Sequence, residues 1–334
     1  MKRIVFTLIL VFILLLIGLW VFRSYDTKEK VLLKVNRFEQ ELFSITPKNV
    51  KQKSNLWNKK FDTFNEVFAS QIIKVSIEDN ELYCSSLIDF VQNKDMREAY
   101  DSTASLFVDF SEIKYDLDHA FNRFHLFFPT YPLPQITTFF GGFNYGVVTY
   151  DNNIAIGLEN FMGQNSKYYK FLGDPKYLRF QKQRRFILSN VMEVWFNNFF
   201  QKYSNGRDFL SQIVYKGKMM YFIDKMLPDI SMENKFRFTT KQMEWVEINE
   251  VNIWEYFVHK DLLFSSQENT FRSFLAYAPF AKGMPKEAPA RVAYYIGYKM
   301  VCEFMKNNKI ELEELLYLTD SRQFLKESKY KPNK

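Results

Sequence analysis

Gln135-Ile136-Thr137-Thr138-Phe139-Phe140, Val147-Val148-Thr149-Tyr150 and Ile154-Ala155-Ile156-Gly157-Leu158 are three short β-branched and aromatic runs, and their reading decides the fold. Turn formers bound them, Gly141-Gly142 after the first and Asp151-Asn152-Asn153 between the second and third. Such connections predict a small antiparallel meander. Outward from it the pattern turns helical. From Asn65 to Phe128 the chain holds no Gly or Pro, and Leu82, Leu87, Phe90 and Val91 fall at helix-like intervals until Pro129, Pro132 and Pro134 close the region. Val31 to Phe38 begins with a strand-like run, and Pro47 marks a break before further helix. After Pro175 the chain is helical almost to its end. The expected class is α+β, mostly α-helical, with helices packed on a small antiparallel sheet.

The clearest helix signals lie in the C-terminal half. Thr239 followed three residues later by Gln242 is a capping-box pattern, predicted to open a helix running to about Phe264. Its apolar stripe takes Met243, Val246, Ile253, Trp254 and Phe257, and Glu250 falls inside that stripe, where a carboxylate needs a partner. Pro289 reads as the first residue of a last long helix, with Val292, Ile296, Met300 and Phe304 along one face. Gly297 in its middle predicts the close approach of another backbone. Arg291 would lie in the first turn, where the helix dipole disfavours a cation, so an acidic partner is expected. Glu250 and Arg291 are therefore expected to pair, with backbone groups or Tyr hydroxyls as the alternative partners of Glu250.

Composition sets further bounds. With 36 Phe and 20 Tyr, the interior must be packed largely with rings. The net charge is +7, but the basic residues are scattered among 38 acids, so no nucleic-acid partner is expected. Cys84 and Cys302 form no metal spacing and no CxxC pair, leaving a disulfide and two free thiols both open. Near the start, Lys2 and Arg3 precede an apolar run from Ile4 to Phe22. As a helix it would span ~28 Å against a hydrocarbon core of ~30 Å. It is expected to be an uncleaved transmembrane anchor, with the rest of the chain on the extracytoplasmic side. The expected organisation is an anchor at 1–23, a linker at 24–30, a helical region at 31–130 and an α+β region at 131–334, the last two open to being one domain.

Enzyme signatures are sparse. His119, His125 and His259 form no HExxH, the loop Gly141 to Gly146 lacks the lysine of a phosphate-binding loop, and no GxSxG is present. No cofactor, metal or small-molecule substrate is inferred.

Several stretches carry a family resemblance. They are Val35 to Glu39, Gly142 to Gly146 with Asp151 and Ile156-Gly157-Leu158, Lys170-Phe171-Leu172-Gly173-Asp174-Pro175-Lys176-Tyr177, and Tyr215-Lys216-Gly217-Lys218. Further on come Trp245 to Leu263, Ala278-Pro279-Phe280, Ala288-Pro289-Ala290-Arg291-Val292 with Gly297, and Ser328 to Pro332. In that order they resemble the gliding-motility lipoprotein GldB family of Bacteroidetes. The resemblance implies a part in the cell-surface gliding machinery, an envelope location, other envelope motility proteins as partners, and no assigned enzymatic activity. Family members carry an acylated cysteine just after the signal core; this chain has none before Cys84, so the apolar run is expected to serve as anchor. The expected function is a non-catalytic assembly or scaffold role, the alternative being a membrane-anchored extracytoplasmic hydrolase or peptidase-like enzyme.

A second, more distant resemblance is to zincin-like predicted peptidases with the metal ligands lost. Met192 and Phe196 would stand where the two histidines stand, Glu193 at the general-base position, and Lys216, about twenty residues on, in place of the ligand glutamate. Such a degenerate scaffold would hold no divalent metal and be a pseudo-enzyme at most.

Overall fold

Thr137 and its neighbours are buried at every position of a short strand, the signature of a strand flanked on both edges and covered on both faces. The computed structural model describes residues 31–332 except Asp62 and Asn205. Its sheet contains β1 (Val35–Arg37), β2 (Ile136–Phe139), β3 (Val147–Tyr150) and β4 (Asn153–Gly157), in the order β1-β2-β4-β3. Both β1 and β4 run parallel to β2, and only β3 is antiparallel to its neighbour β4.

The sheet is therefore mixed, which corrects the expected antiparallel meander. The reason lies in the connections. Asp151 and Asn152 take left-handed backbone angles, φ 41° and 60°, and close a tight turn that makes β3 and β4 antiparallel neighbours. The loop from Phe140 to Gly146 is long enough to carry β3 past β2, so β4 returns between them. A parallel β1–β2 pair needs a long crossover, and the helical region between them supplies it.

That region contains α1 (Val50–Lys60), α2 (Asn80–Gln92), α3 (Lys94–Leu106) and α4 (Ser111–Phe127). After the sheet come α5 (Lys176–Gln181), α6 (Ile187–Phe200), α7 (Phe209–Met226), α8 (Met232–Phe236), α9 (Thr240–Ile248), α10 (Glu250–His259), α11 (Val292–Asn307) and α12 (Ser321–Ser328). Leu33 to Lys334 forms one compact unit. No helix among the described residues is long and apolar enough to cross a membrane, and the expected span Ile4 to Phe22 lies outside them.

Rings fill the interior, as the Phe and Tyr content requires. On one side Phe38 meets Trp57, Phe61, Phe64 and Phe68, with centroids 4.9–5.2 Å away. In the C-terminal half Phe222 of α7 gathers Phe124, Phe128, Phe196 and Phe200. Edge-to-face and tilted pairs at these spacings add directional attraction to burial.

The closest helix contact is between α7 and α11, where Gly217 faces Gly297. A Cβ built on Gly217 would lie 2.3 Å from the Gly297 carbonyl carbon, so only glycine permits this crossing. The predicted close approach at Gly297 is thus present. Two helix boundaries differ from expectation. Asn249 ends α9, its amide donating to the Trp245 carbonyl at 2.9 Å, and a separate helix starts at Glu250. The last long helix begins at Val292 rather than Pro289, because Arg291 turns left-handed, φ 66°.

Candidate functional site

The break at Asn249 puts Glu250 in the first turn of α10, where the helix dipole favours an acid. Its carboxylate accepts from the hydroxyls of Tyr330 at 3.0 Å and Tyr295 at 3.3 Å, and lies 3.4 Å from Lys299 Nζ. The expected Glu250–Arg291 pair does not form: hydroxyls and a lysine satisfy Glu250 locally, and Arg291 has another acid. That acid is Glu193.

Glu193 projects from α6 between two arginines. Arg237 donates through Nη2 to its Oε2 and through Nη1 to Asn190 Oδ1. Arg291 Nη2 lies 3.8 Å from the same Oε2. Arg291 Nη1 also donates to the Tyr277 hydroxyl at 2.9 Å, and its guanidinium lies 4.0 Å from the Tyr294 ring centroid and 4.6 Å from that of Tyr277. Both arginine side chains are almost fully buried, at 4% and 3% exposure. Burial works to raise the Glu193 pKa, but the charges of Arg237, Arg291 and Lys216 outweigh it and hold it at about 2.

Arg237 and Arg291 reach this place by the same backbone device. Arg237 follows α8 at φ 56° and Arg291 precedes α11 at φ 66°, both left-handed positions that non-glycine residues seldom take. Gln181 of α5 donates to the Arg237 carbonyl at 3.3 Å and ties the strand of chain that carries it.

On their outer side the two arginines line a cavity of about 580 Å³. Pro175, Tyr177, Phe180, Phe238, Tyr277 and Pro289 also line it. Three of the stretches that carry the family resemblance meet here: Pro175 to Tyr177, Ala278-Pro279, and Pro289 to Arg291. Lys176 is the third lining cation, and no acidic residue lines the cavity among those described.

Of the other residues singled out from the sequence, Met192 and Phe196 serve packing, and Lys216 lies near enough for its charge to act on Glu193. Met192 is fully buried, and Phe196 packs on Phe222, Phe200 and Tyr215. Lys216 rests its Nζ against the Tyr294 and Tyr215 rings. No group of three or more His, Cys, Asp or Glu is placed to hold a metal ion among the described residues. Cys84 and Cys302 are free thiols. Sequence reading missed Arg237, Tyr277 and Asn190. For Arg237 a signal existed, a lone cation between Phe236 and Phe238 just before the helix cap at Thr239; for Tyr277 and Asn190 there was none.

No curated protein and no solved structure matches the chain. The likeness to zincin-type peptidases accordingly finds no support. A family model described as "Gliding motility protein GldB" matches residues 23–332, which include all the described residues and so every residue that lines the cavity. The chain therefore belongs to the GldB family of gliding motility proteins.

Proposed function

We propose that this chain is a non-catalytic assembly or scaffold component of the gliding apparatus in the cell envelope, and that it works by binding other envelope motility proteins. One observation carries the reading. Glu193, whose partners Arg237 and Arg291 line a cavity, is committed to those two buried arginines. A carboxylate held at about 2 is ionised throughout the neutral range and is a poor proton acceptor there. What remains is a concave surface lined by rings and by three cations, which is a means of recognition.

The hydrolase alternative has its nearest support at Lys218. Burial pulls this lysine down to about 7, and Ser211 and Ser321 line the same small cavity. Its Nζ, however, donates to the Leu318 carbonyl, and that cavity is only about 20 Å³, too small for a substrate group. The test is in-cell crosslinking of the full-length chain in its native membrane, with turnover assays of the purified chain on peptide and ester libraries. Capture of motility proteins without turnover is expected. Turnover that a folded Lys218→Met or Glu193→Gln variant loses would overturn the reading.

A further inference from the structure

We infer that the outer edge of β3 receives an extended segment of a partner polypeptide, added to the sheet as a further strand and carrying an acidic side chain towards Lys202. This rests on the binding role proposed above and names the form of what is bound.

Hydrogen bonding is the first observation. β3 is the last strand in the order β1-β2-β4-β3, so β4 pairs with one of its edges and leaves the other. Val147 stands opposite Ile156, and one step further out the Gly157 N–H donates to the Gly146 carbonyl at 2.7 Å. Bonded pairs alternate along an antiparallel ladder, so they are Gly146–Gly157, Val148–Ala155 and Tyr150–Asn153. Val147 and Thr149 therefore turn their N–H and C=O groups away from β4. None of these four groups has a hydrogen-bond partner among the described residues. Both residues are partly exposed. Donors and acceptors alternating along such a row are answered by another extended backbone.

The sequence of the edge is the second. Exposed edges are commonly blunted by charge or proline, and Val147-Val148-Thr149-Tyr150 has neither. The opposite edge strand, β1, carries Arg37, whose guanidinium donates to Glu39 and to the Phe107 carbonyl.

The surface beside the edge is the third. Val148 and Tyr150 pack on the ring cluster around Phe38, so Thr149 faces the other side of the sheet, where it and α6 line a groove of about 510 Å³. Val194, Asn197, Asn198 and Gln201 line it from one face of the helix, at the three-, four- and seven-residue spacing. Asn197 Oδ1 accepts from the Tyr215 hydroxyl and Asn198 Nδ2 donates to Asn152, which leaves Asn197 Nδ2, Asn198 Oδ1 and the Gln201 amide for an incoming chain. Every second side chain of a strand added to β3 would point to this stripe. Lys202 is the one charged residue lining the groove among those described, and it has no ion-pair partner among them. An acidic side chain on the added strand answers it.

The test pans a random octapeptide library, both ends blocked, on the purified full-length chain and measures the strongest binder by fluorescence anisotropy. That peptide is then made in two forms, methylated on its odd or on its even backbone nitrogens. Only alternate N–H groups of an added strand face β3, so one form is expected to lose about tenfold or more in affinity and the other to bind like the parent. Thr149→Pro removes an outward N–H and leaves the β3–β4 ladder intact, and is expected to weaken binding about fivefold or more. The binder is expected to contain Asp or Glu and to lose about threefold or more against Lys202→Glu. Selection of no binder, equal affinities of the two methylated forms, or indifference to Thr149→Pro or to Lys202→Glu would each overturn the assignment. Self-association of the chain that Thr149→Pro abolishes would give the edge to a second copy and overturn it as well. If no peptide binds the edge while native-membrane crosslinking still captures a motility protein, the edge assignment falls and the scaffold reading stands. Turnover by the purified chain would sink the scaffold reading itself.

Discussion

Two glutamates in this chain show how surroundings set a carboxylate's behaviour. Glu193 has cations on three sides and stays ionised; Glu159, on the turn after β4, has none. Its Oε1 accepts from the backbone N–H groups of Gly141 at 2.7 Å and Phe143 at 3.1 Å, and its Oε2 has no partner. Burial pushes this carboxyl up to about 7 although those two bonds oppose it. The folded pKa thus stands above the ordinary carboxylate value. Its contribution to stability is full at acid pH, falls as pH rises from about 4.5 to about 7, and stays lost above. Replacing Glu159 by Gln keeps the accepting oxygen and removes the charge. The melting temperature of Glu159→Gln relative to wild type should rise between pH 5 and pH 8, by the equivalent of about 1–3 kcal/mol. A constant difference across that range would show that Glu159 carries no such burden.

At the scale of elements, the decisive contact is the crossing of α7 and α11. Helix propensity alone favours Ala over Gly by about 1 kcal/mol in a helix interior. At Gly217, however, the added Cβ would meet the Gly297 carbonyl carbon and oxygen, both at 2.3 Å, and backbone cannot move aside as a side chain can. Overpacking therefore wins, and Gly217→Ala should lower stability by about 1–3 kcal/mol in denaturant unfolding. An unchanged or raised midpoint would mean that the helices separate freely. This crossing was legible in the sequence because Gly297 interrupts an otherwise good helical stripe. The capping box was legible too: Thr239 and Gln242 exchange the two expected bonds, at 2.9 and 3.2 Å. The strand pairing was not. The runs at 136–139, 147–150 and 153–157 could be placed, but which lies beside which depends on how the Phe140 to Gly146 loop crosses β2, and no local pattern records that. The left-handed turn at Arg291 was likewise hidden, since a preference for Pro at the first helical position competes with it.

Taken whole, the fold brings residues remote in sequence together beside one of its recesses. Arg237 comes from the end of α8, Glu193 from the middle of α6, and Arg291 from the start of α11. The sequence showed one of them, Arg291, as an anomaly, a cation at a helix start, but assigned it to Glu250, and it marked Glu193 only as the general-base position of a degenerate peptidase scaffold. Pairings across such separations follow from the packing of α6, α7 and α11, in which the glycine crossing fixes how near α11 can come. Family kinship covers all of this region, and the proposed role rests on how the recess is lined, with rings and three cations, and on the commitment of Glu193 to its two arginines.

Held by Arg237 and Arg291, Glu193 is expected to be a fixed anion rather than a base. Its direct test is carbon-13 NMR of the full-length chain with carboxyl-labelled glutamate, the Glu193 signal being assigned by its loss in Glu193→Gln. An ionised carboxylate with no titration step between about pH 4 and pH 8 is expected, consistent with a pKa of about 2. A step centred between about pH 5 and pH 7 would contradict it and return Glu193 to the candidates for proton transfer.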